Sequence, residues 1–140
     1  MIGILVASHG RFAEGIADAV HLIMGNQEQF DFVGLYEGAD FEQFKATIST
    51  KITELNQGQG VLVFTDLFAA SPYNASAAVA FGLKESMNIR IISGMNLSML
   101  LEVLVARQAN DQLDELYQII MQTGKEGIQE FFEQVNGGAD

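Results

Sequence analysis

The sequence predicts an α/β fold in which a doubly wound, mainly parallel sheet carries helices on both of its faces. Residues 2–7 and 61–65 are apolar throughout, and such runs are typical of strands buried on both sides in a parallel sheet. Segments with apolar residues at helical spacing alternate with the strand segments, which indicates repeated β-α units. With the first strand in the centre, we expect the strand order 2-1-3-4 and right-handed crossovers.

Four segments are predicted to form the strands. The first and third are continuous apolar runs, the second alternates apolar with other residues, and the fourth is a short isoleucine-rich run. They comprise residues 2–7, 30–36, 61–65 and 89–92. The alternation in the second segment is typical of a half-buried strand, so we place this strand nearer the edge of the sheet.

Five segments are predicted to form helices, because their apolar residues recur every three or four positions. They comprise residues 12–24, 41–55, 71 onwards, 97–104 and 111–122. Asp40 and Asn96 are the expected N-caps of the second and fourth helices, since their side-chain oxygens accept hydrogen bonds from free N–H groups. Ser71 is the expected N-cap of the third helix, with Pro72 in the first helical position.

The C-terminal segment does not fit a single structure from its pattern alone. Residues 127–135 contain Ile128, Phe131 and Phe132 and fit either a short strand or a frayed helix. We expect one domain over residues 1–135, since a chain of 140 residues suffices for one hydrophobic core. Residues 136–140 are expected to form a loose tail.

The composition excludes several classes of function. The chain has 7 basic and 18 acidic residues and a net charge of −11, so it repels the phosphates of nucleic acids and of anionic membranes. It has no cysteine, which excludes disulfides and thiolate metal sites. No apolar run approaches the roughly 20 residues that span a bilayer, and no signal peptide is recognisable. We therefore expect a cytoplasmic protein whose partners are proteins.

Polar side chains follow the first and third predicted strands at the point where each strand ends. Ser8, His9 and Gly10 follow the first apolar run, and Asp66 follows the third. Parallel strands end at the same edge of a sheet, so His9 and Asp66 should meet across the central crevice. A carboxylate bonded to one ring nitrogen leaves the other free as a nucleophile and stabilises the positively charged ring. These two residues are the candidate catalytic pair.

A phosphoryl group fits this predicted arrangement best. Helix N-termini at the same edge offer N–H groups to an anion, and phosphoryl transfer depends mainly on positioning and charge stabilisation. Ser71 and Gly10 are the candidate phosphate-binding residues. Neither a metal nor another cofactor is expected, since the site has no second histidine and no carboxylate cluster. On residue type alone, His9 and Asp66 could also be turn residues, and Ser71 could be only an N-cap.

Three motifs occur in order along the chain. They are Ser8-His9-Gly10, Thr65-Asp66-Leu67-Phe68 leading into Ser71-Pro72-Tyr73-Asn74, and Gly94-Met95-Asn96-Leu97 leading into Met99-Leu100. Together they resemble the EIIA domain of the mannose/fructose/sorbose class of the bacterial phosphotransferase system. The resemblance covers nearly the whole chain and includes residues 123–127. Each motif alone is weak, but the three in this order and spacing are fairly specific.

This resemblance implies a phosphotransferase component that serves sugar uptake. His9 would accept a phosphoryl group from phospho-HPr on Nε2 and pass it to an EIIB domain, which phosphorylates the sugar carried in by an EIIC/EIID permease. Asp66 would orient the other ring nitrogen, and Ser71 would hydrogen-bond near the phosphate. The resemblance also implies a homodimer, with an antiparallel edge strand contributed by residues 127–135 and sometimes exchanged between subunits.

Three other functions compete with this hypothesis. The phosphocarrier subunit of dihydroxyacetone kinase resembles the chain in fold and in its N-terminal histidine, but its later loop differs from the run at residues 71–74. A hydrolase using Ser71, His9 and Asp66 would need a Gly-x-Ser-x-Gly elbow, which this sequence lacks. A non-catalytic signalling or binding module of similar fold would carry an acidic cluster after the first strand, where this chain has Ser8 and His9.

One loop departs from the family that the chain resembles. Many members have two glycines where this chain has Ala69 and Ala70. Methyl groups at these positions narrow the loop and are expected to restrict positive φ angles. The geometry of this loop is therefore not carried over from the family.

Overall fold

The structure is a computed structural model that describes residues 1–137 of the chain. The strands are β1 (Gly3–His9), β2 (Phe30–Leu35), β3 (Val61–Thr65) and β4 (Ile89–Ile92). The helices are α1 (Phe12–Met24), α2 (Phe41–Leu55), α3 (Ser71–Leu83), α4 (Leu97–Ala106), α5 (Leu113–Glu126) and α6 (Phe131–Gly137). Among these described helices, none has the combination of length and apolar character that crossing a bilayer requires.

All four strands are parallel and lie in the order β2-β1-β3-β4, which confirms the predicted topology. In the register of the two central strands, Ala7 of β1 lies opposite Thr65 of β3. His9 and Asp66 follow shortly after this pair in their own segments. The sheet therefore brings the ends of β1 and β3 side by side at its carboxyl edge.

Two hydrophobic cores cover the two faces of the sheet, because successive strand residues point to opposite faces. In β1, Ile4 and Val6 belong to the core that α1, α4 and α5 complete. Leu5 and Ala7 belong to the core that α2 and α3 complete. The predicted helices on both faces are thus confirmed. β1 is buried up to Ser8 and becomes exposed only at His9, its last residue.

The helix N-termini agree with the sequence in two cases and differ in a third. Asp40 caps α2 by accepting from Glu42 N, and Asn96 caps α4 by accepting from Met99 N, as predicted. Ser71, the predicted N-cap of α3, is instead its first helical residue, and Ala70 occupies the cap position. The N-cap prediction for Ser71 is therefore wrong by one residue, because Ala70 is the last residue with an extended backbone (φ −89°, ψ 177°) and Ser71 is already helical.

The predicted antiparallel edge strand is wrong for the described residues, since Phe131–Gly137 form the helix α6. This segment satisfies its backbone groups locally, with Gln134 N donating to Glu130 O and Glu133 N donating to the Glu130 carboxylate. All residues of α6 are exposed. The expected loose tail over residues 136–140 stays a prediction: residues 136 and 137 belong to the exposed helix α6, and residues 138–140 lie outside the described range.

A buried cation organises the opposite edge of the sheet, where β1 and β2 begin. Arg107 follows α4, is 3% exposed and donates from one guanidinium nitrogen to Ile2 O at 2.9 Å and to Gln29 O at 3.0 Å. Its second terminal nitrogen donates to Glu28 O. Burial lowers the pKa of Arg107, and the Glu28 carboxylate partly offsets this effect. Arg107 therefore ties the end of α4 to the beginning of the two strands.

Candidate active site

The candidate site is a histidine and aspartate pair at the carboxyl edge of the sheet. His9 ends β1, and Asp66 follows β3, the parallel neighbour of β1. The Nδ1 atom of His9 lies 2.7 Å from Asp66 Oδ2, and the backbone N–H of His9 donates to the same oxygen at 2.9 Å. The predicted meeting of the two side chains is thus found. One carboxylate oxygen holds both the backbone and the ring of His9.

This contact leaves the second ring nitrogen of His9 free. An ionised carboxylate only accepts hydrogen bonds, so the contact with Asp66 places the proton on Nδ1 and the lone pair on Nε2. The His9 side chain is 48% exposed, whereas the Asp66 side chain is only 14% exposed. The arrangement therefore presents a nucleophilic nitrogen at the surface, with its negatively charged partner shielded behind it.

The second oxygen of Asp66 has a different environment. Asp66 Oδ1 is buried and has no hydrogen-bond partner within residues 1–137, and the same is true of the nearby Thr65 Oγ1. Both hydrogen bonds from His9 go to Oδ2 instead. Within residues 1–137 the carboxylate thus directs its hydrogen bonding at His9 alone, through a single oxygen.

The turn between β1 and α1 fixes the backbone on both sides of His9. Ser8 is buried, and its Oγ accepts a 2.6 Å hydrogen bond from Ala13 N in the first turn of α1. Gly10 has a φ of 50°, a conformation that glycine adopts without strain, and its N–H donates to Leu35 O at 2.8 Å. The N–H of Gly10 thus serves the turn, while a role in phosphate binding stays a prediction.

The loop between β3 and α3 connects Asp66 with Ser71. Ala69 in this loop has a φ of 64°, so the expectation that its methyl group restricts positive φ is wrong at this position. Ala70 has a φ of −89° and follows that expectation. The carbonyl of Ala69 accepts a hydrogen bond of 3.0 Å from Asn74 Nδ2, so a tertiary contact accompanies this exception to the preference of the single residue.

Ser71 reaches the same edge of the sheet from the third helix. It is the first residue of α3, is partly exposed and stands at the end of the loop that begins with Asp66. The first N–H groups of a helix have no partners within the helix and carry the positive end of its dipole. Ser71 and the first turn of α3 therefore have the chemistry to receive an anion, as the sequence predicts.

The loop between β4 and α4, residues 93–96, also lies at this edge, and its contacts are structural. Asn96 caps α4, and its Nδ2 also donates to Gly124 O of α5 at 2.9 Å. Met95 N donates to Thr65 O at 3.1 Å, which fixes this loop to the end of β3. Within residues 1–137 there is no group of three or more His, Cys, Asp or Glu side chains that could hold a metal ion.

A groove between α1 and β2 lies away from the histidine pair. It is an open groove of about 710 Å³ between α1 and β2, and its lining includes Glu14, His21, Phe30 and Phe32. His9 and Asp66 are not among its lining residues. The pair stands instead on the open surface, next to loops with the exposed apolar residues Leu67 and Phe68. Such a site suits a group that another protein presents better than an enclosed small molecule.

Three residues that support this site carry no separate role in the sequence analysis. Ser8 caps α1 from the strand, and Asn74 holds the Ala69 carbonyl. Gly34 of β2 lies so close to Gly10 O that a Cβ atom would overlap with it. A glycine inside a strand can indicate such a close approach, whereas the two hydrogen bonds depend on tertiary geometry that the sequence does not display.

Several known proteins are similar to this chain in sequence. Residues 3–121 match the family model EIIA-man, which is described as the PTS system fructose IIA component. The mannose-specific EIIAB component of Escherichia coli K12 is 28% identical over 127 residues, which is 91% of this chain and 38% of that protein. The sorbose-specific EIIA component of Lacticaseibacillus casei is 31% identical over 102 residues, which is 73% of this chain and 71% of that protein.

A solved structure extends the likeness to three dimensions. The crystal structure of phosphotransferase system component EIIA from Streptococcus agalactiae is 30% identical and superposes with a TM-score of 0.87. The match covers 94% of this chain and 98% of that chain. The chain thus spans nearly all of this EIIA structure and well under half of the mannose-specific EIIAB relative.

Proposed function

The chain belongs to the EIIA-man family of phosphotransferase-system IIA components, and on this premise we propose that it carries a phosphoryl group on His9. The observation that supports this role most directly is the 2.7 Å contact between His9 Nδ1 and Asp66 Oδ2. It occupies one ring nitrogen and leaves Nε2 as the exposed nucleophile. The proposed activity is that of a phosphotransferase component that forms a transient phosphohistidine.

The loading step is an in-line transfer between two proteins. The lone pair of His9 Nε2 attacks the phosphorus atom of a donor phosphohistidine, a new N–P bond forms, and the donor N–P bond breaks. The donor ring keeps the electron pair of the broken bond. The His9 ring then carries a proton on Nδ1 and a phosphoryl group on Nε2, and the Asp66 carboxylate stabilises the resulting positive charge.

In the unloading step, His9 becomes the phosphoryl donor and the partner protein becomes the acceptor. A nucleophile of the acceptor attacks the phosphorus atom, the bond to Nε2 breaks, and the electron pair returns to the His9 ring. Because Asp66 favours the charged ring without accepting its proton, the phosphohistidine stays a good donor. The hydroxyl of Ser71 and the first N–H groups of α3 are the proposed partners of the phosphoryl oxygens.

Protein partners of this site follow from the family. We place HPr as the phosphoryl donor and EIIB as the acceptor, with an EIIC/EIID permease as the indirect partner that carries the sugar. The exposed side chains of Phe12, Leu67 and Phe68 belong to the segments that flank the pair and offer apolar contact area for such partners. The net charge of −11 favours partners with basic surfaces. This role also favours the cytoplasmic location that the sequence predicts.

A homodimer is the proposed assembly. Ile128, Phe131, Phe132 and Val135 are all exposed near the C-terminus, and their apolar area suits contact with a second copy.

Phosphorylation by purified components tests the proposed function. The chain is incubated with phosphoenolpyruvate, enzyme I and HPr, and its intact mass is measured. We expect one acid-labile phosphoryl group, which His9→Ala abolishes completely. His21→Ala is the matched control, because His21 is the other of the two histidines and lies on α1, and this variant should take up phosphate normally. A phosphoryl group that persists in His9→Ala, or no uptake by the wild type, contradicts the proposal.

A further inference from the structure

The loop between β3 and α3 contains an alanine in an unfavourable backbone conformation. Ala69 has a φ of 64°, in the left-handed region where a Cβ atom crowds the following carbonyl group. Within residues 1–137, Gln29 is the only other residue besides glycine with a positive φ. Such a conformation persists only where neighbouring contacts hold it, and it occurs often at functional sites.

Two side-chain contacts close this loop onto the first turn of α3. Asn74 Nδ2 donates to the carbonyl oxygen of Ala69 at 3.0 Å, and the rings of Phe68 and Tyr73 lie 5.0 Å apart at an angle of 59°. The backbone of Asn74 is already fixed, since its N–H donates to Ala70 O at 2.8 Å. The amide side chain is therefore not needed to continue the helix, and its hydrogen bond acts on the loop.

The position of this loop links it to the histidine pair. The loop begins at Asp66, which holds both the ring and the backbone N–H of His9, and it ends at Ser71. A rotation at Ala69 would move the end of the loop relative to its beginning. The left-handed turn therefore sets where the first turn of α3 lies relative to Asp66 and His9.

We propose that Asn74 is a positioning residue for phosphoryl transfer, which acts by holding Ala69 in its left-handed conformation. This inference rests on the proposed function, because its effect is exerted on transfer to His9. Asn74 does not need to touch the phosphoryl group. Its contribution is to keep Ser71 and Asp66, the two ends of the loop, in register.

The test uses the coupling between Asn74 and the strain at Ala69. Asn74→Ala should lower the rate of HPr-dependent phosphorylation by about three- to tenfold, the equivalent of one exposed hydrogen bond. Adding Ala69→Gly should restore the rate, because glycine adopts this φ without strain. Adding Ala70→Gly instead is the matched control, and it should not restore the rate, since Ala70 has an ordinary φ of −89°.

A second control separates positioning from general stability. Gln118 on α5 also donates from a side-chain amide to a backbone carbonyl, that of Asp114, and Gln118→Ala should leave the rate unchanged. A rate in Asn74→Ala equal to the wild type, or equal restoration by both glycine substitutions, overturns the role of Asn74. If the wild type takes up no phosphate, the proposed function itself fails, so the two failures are distinguishable.

Discussion

The two ends of β1 each hold a nitrogen-rich side chain, and they use it in opposite ways. At the amino end, Arg107 is almost fully buried and donates to the backbone carbonyls of Ile2, Glu28 and Gln29. At the carboxyl end, His9 is half exposed, and within residues 1–137 its ring has one side-chain partner, the carboxylate of Asp66. The same strand thus begins beside a buried cation and ends at a half-exposed imidazole that is held from one side.

The partners and the exposure of the two side chains explain why Arg107 is structural and His9 is available for reaction. The guanidinium of Arg107 donates to neutral backbone carbonyls, which cannot take up its proton. Burial lowers the pKa of Arg107. His9 has a carboxylate partner on one side and solvent on the other, so one ring nitrogen is held while the rest of the ring is open to a reactant. Exposure and the charge of the partner decide the role, more than the residue type does.

The largest expected effect comes from removing the guanidinium at the amino end of β1, a change that leaves His9 and Asp66 unaltered. Arg107→Met should lower the free energy of unfolding by about 2–4 kcal/mol, because the carbonyl of buried Ile2 and the carbonyls of Glu28 and Gln29 lose a charged donor. Urea unfolding measures this change, and Arg11→Met is the matched control. Arg11 is exposed with only a 3.9 Å ion pair to Glu14, so its loss should cost less than about 0.5 kcal/mol.

The same Arg107 variant also tests the separation of the two ends. Under conditions where Arg107→Met is folded, its rate of phosphorylation on His9 should equal that of the wild type. A large loss of rate in the folded variant would contradict the independence of the two ends.

The next effect comes from changing Asp66, beside the carboxyl end of β1, in a way that leaves the fold intact. Asp66→Asn keeps the shape of the side chain but removes the charge that stabilises the His9 ring. The transfer rate should fall by about 100-fold, equivalent to about 2.7 kcal/mol. Stopped-flow or quench kinetics with phospho-HPr measures the rate, with Asp18→Asn on an exposed position of α1 as the control. An unchanged rate in Asp66→Asn would reduce Asp66 to a turn residue.

The smallest expected effect concerns Asp114, an exposed carboxylate of α5. Asp114 accepts from Asn88 and Arg90, and these hydrogen bonds hold its pKa below the ordinary value of 3.8. A depressed carboxyl pKa stabilises the folded state above that ordinary value, and the contribution is lost as the pH falls through the lower folded-state pKa. The wild type should therefore be slightly more stable than Asp114→Asn at neutral pH.

Unfolding midpoints along a pH series measure this effect. The difference between the wild type and Asp114→Asn should shrink as the pH falls below 3.8. A difference that stays constant over the whole series would show that the carboxylate charge contributes nothing. The small size follows from full exposure, in contrast to buried Arg107.

The sequence contained enough information for the sheet and for the histidine pair. Apolar strands with a helical segment after each one define a parallel sheet, and parallel strands gather their ends, so the contact of His9 with Asp66 followed from topology. Arg107 could not be assigned in this way, because its contact with Ile2 joins residues that are 105 positions apart. A single arginine after a helix has no pattern that indicates burial.

Local backbone conformation was the second feature that could not be predicted from the sequence. The apolar residues of 127–135 fit a strand or a helix equally, and only the structure shows the helix α6. Ala69 adopts a conformation that its own side chain disfavours, since Asn74 supplies a compensating hydrogen bond. Such exceptions arise where tertiary contacts outweigh the preferences of single residues, and here one of them lies beside the candidate site.

The position of the phosphoryl group on the His9 ring shows whether Asp66 reserves Nε2 for transfer. The chain is labelled with ¹⁵N, phosphorylated through HPr, and examined by long-range ¹H–¹⁵N correlation and ³¹P coupling. The account predicts phosphorus bonded to Nε2 of His9, with Nδ1 still protonated and bonded to Asp66. Phosphorus on Nδ1, or on any residue other than His9, would contradict it.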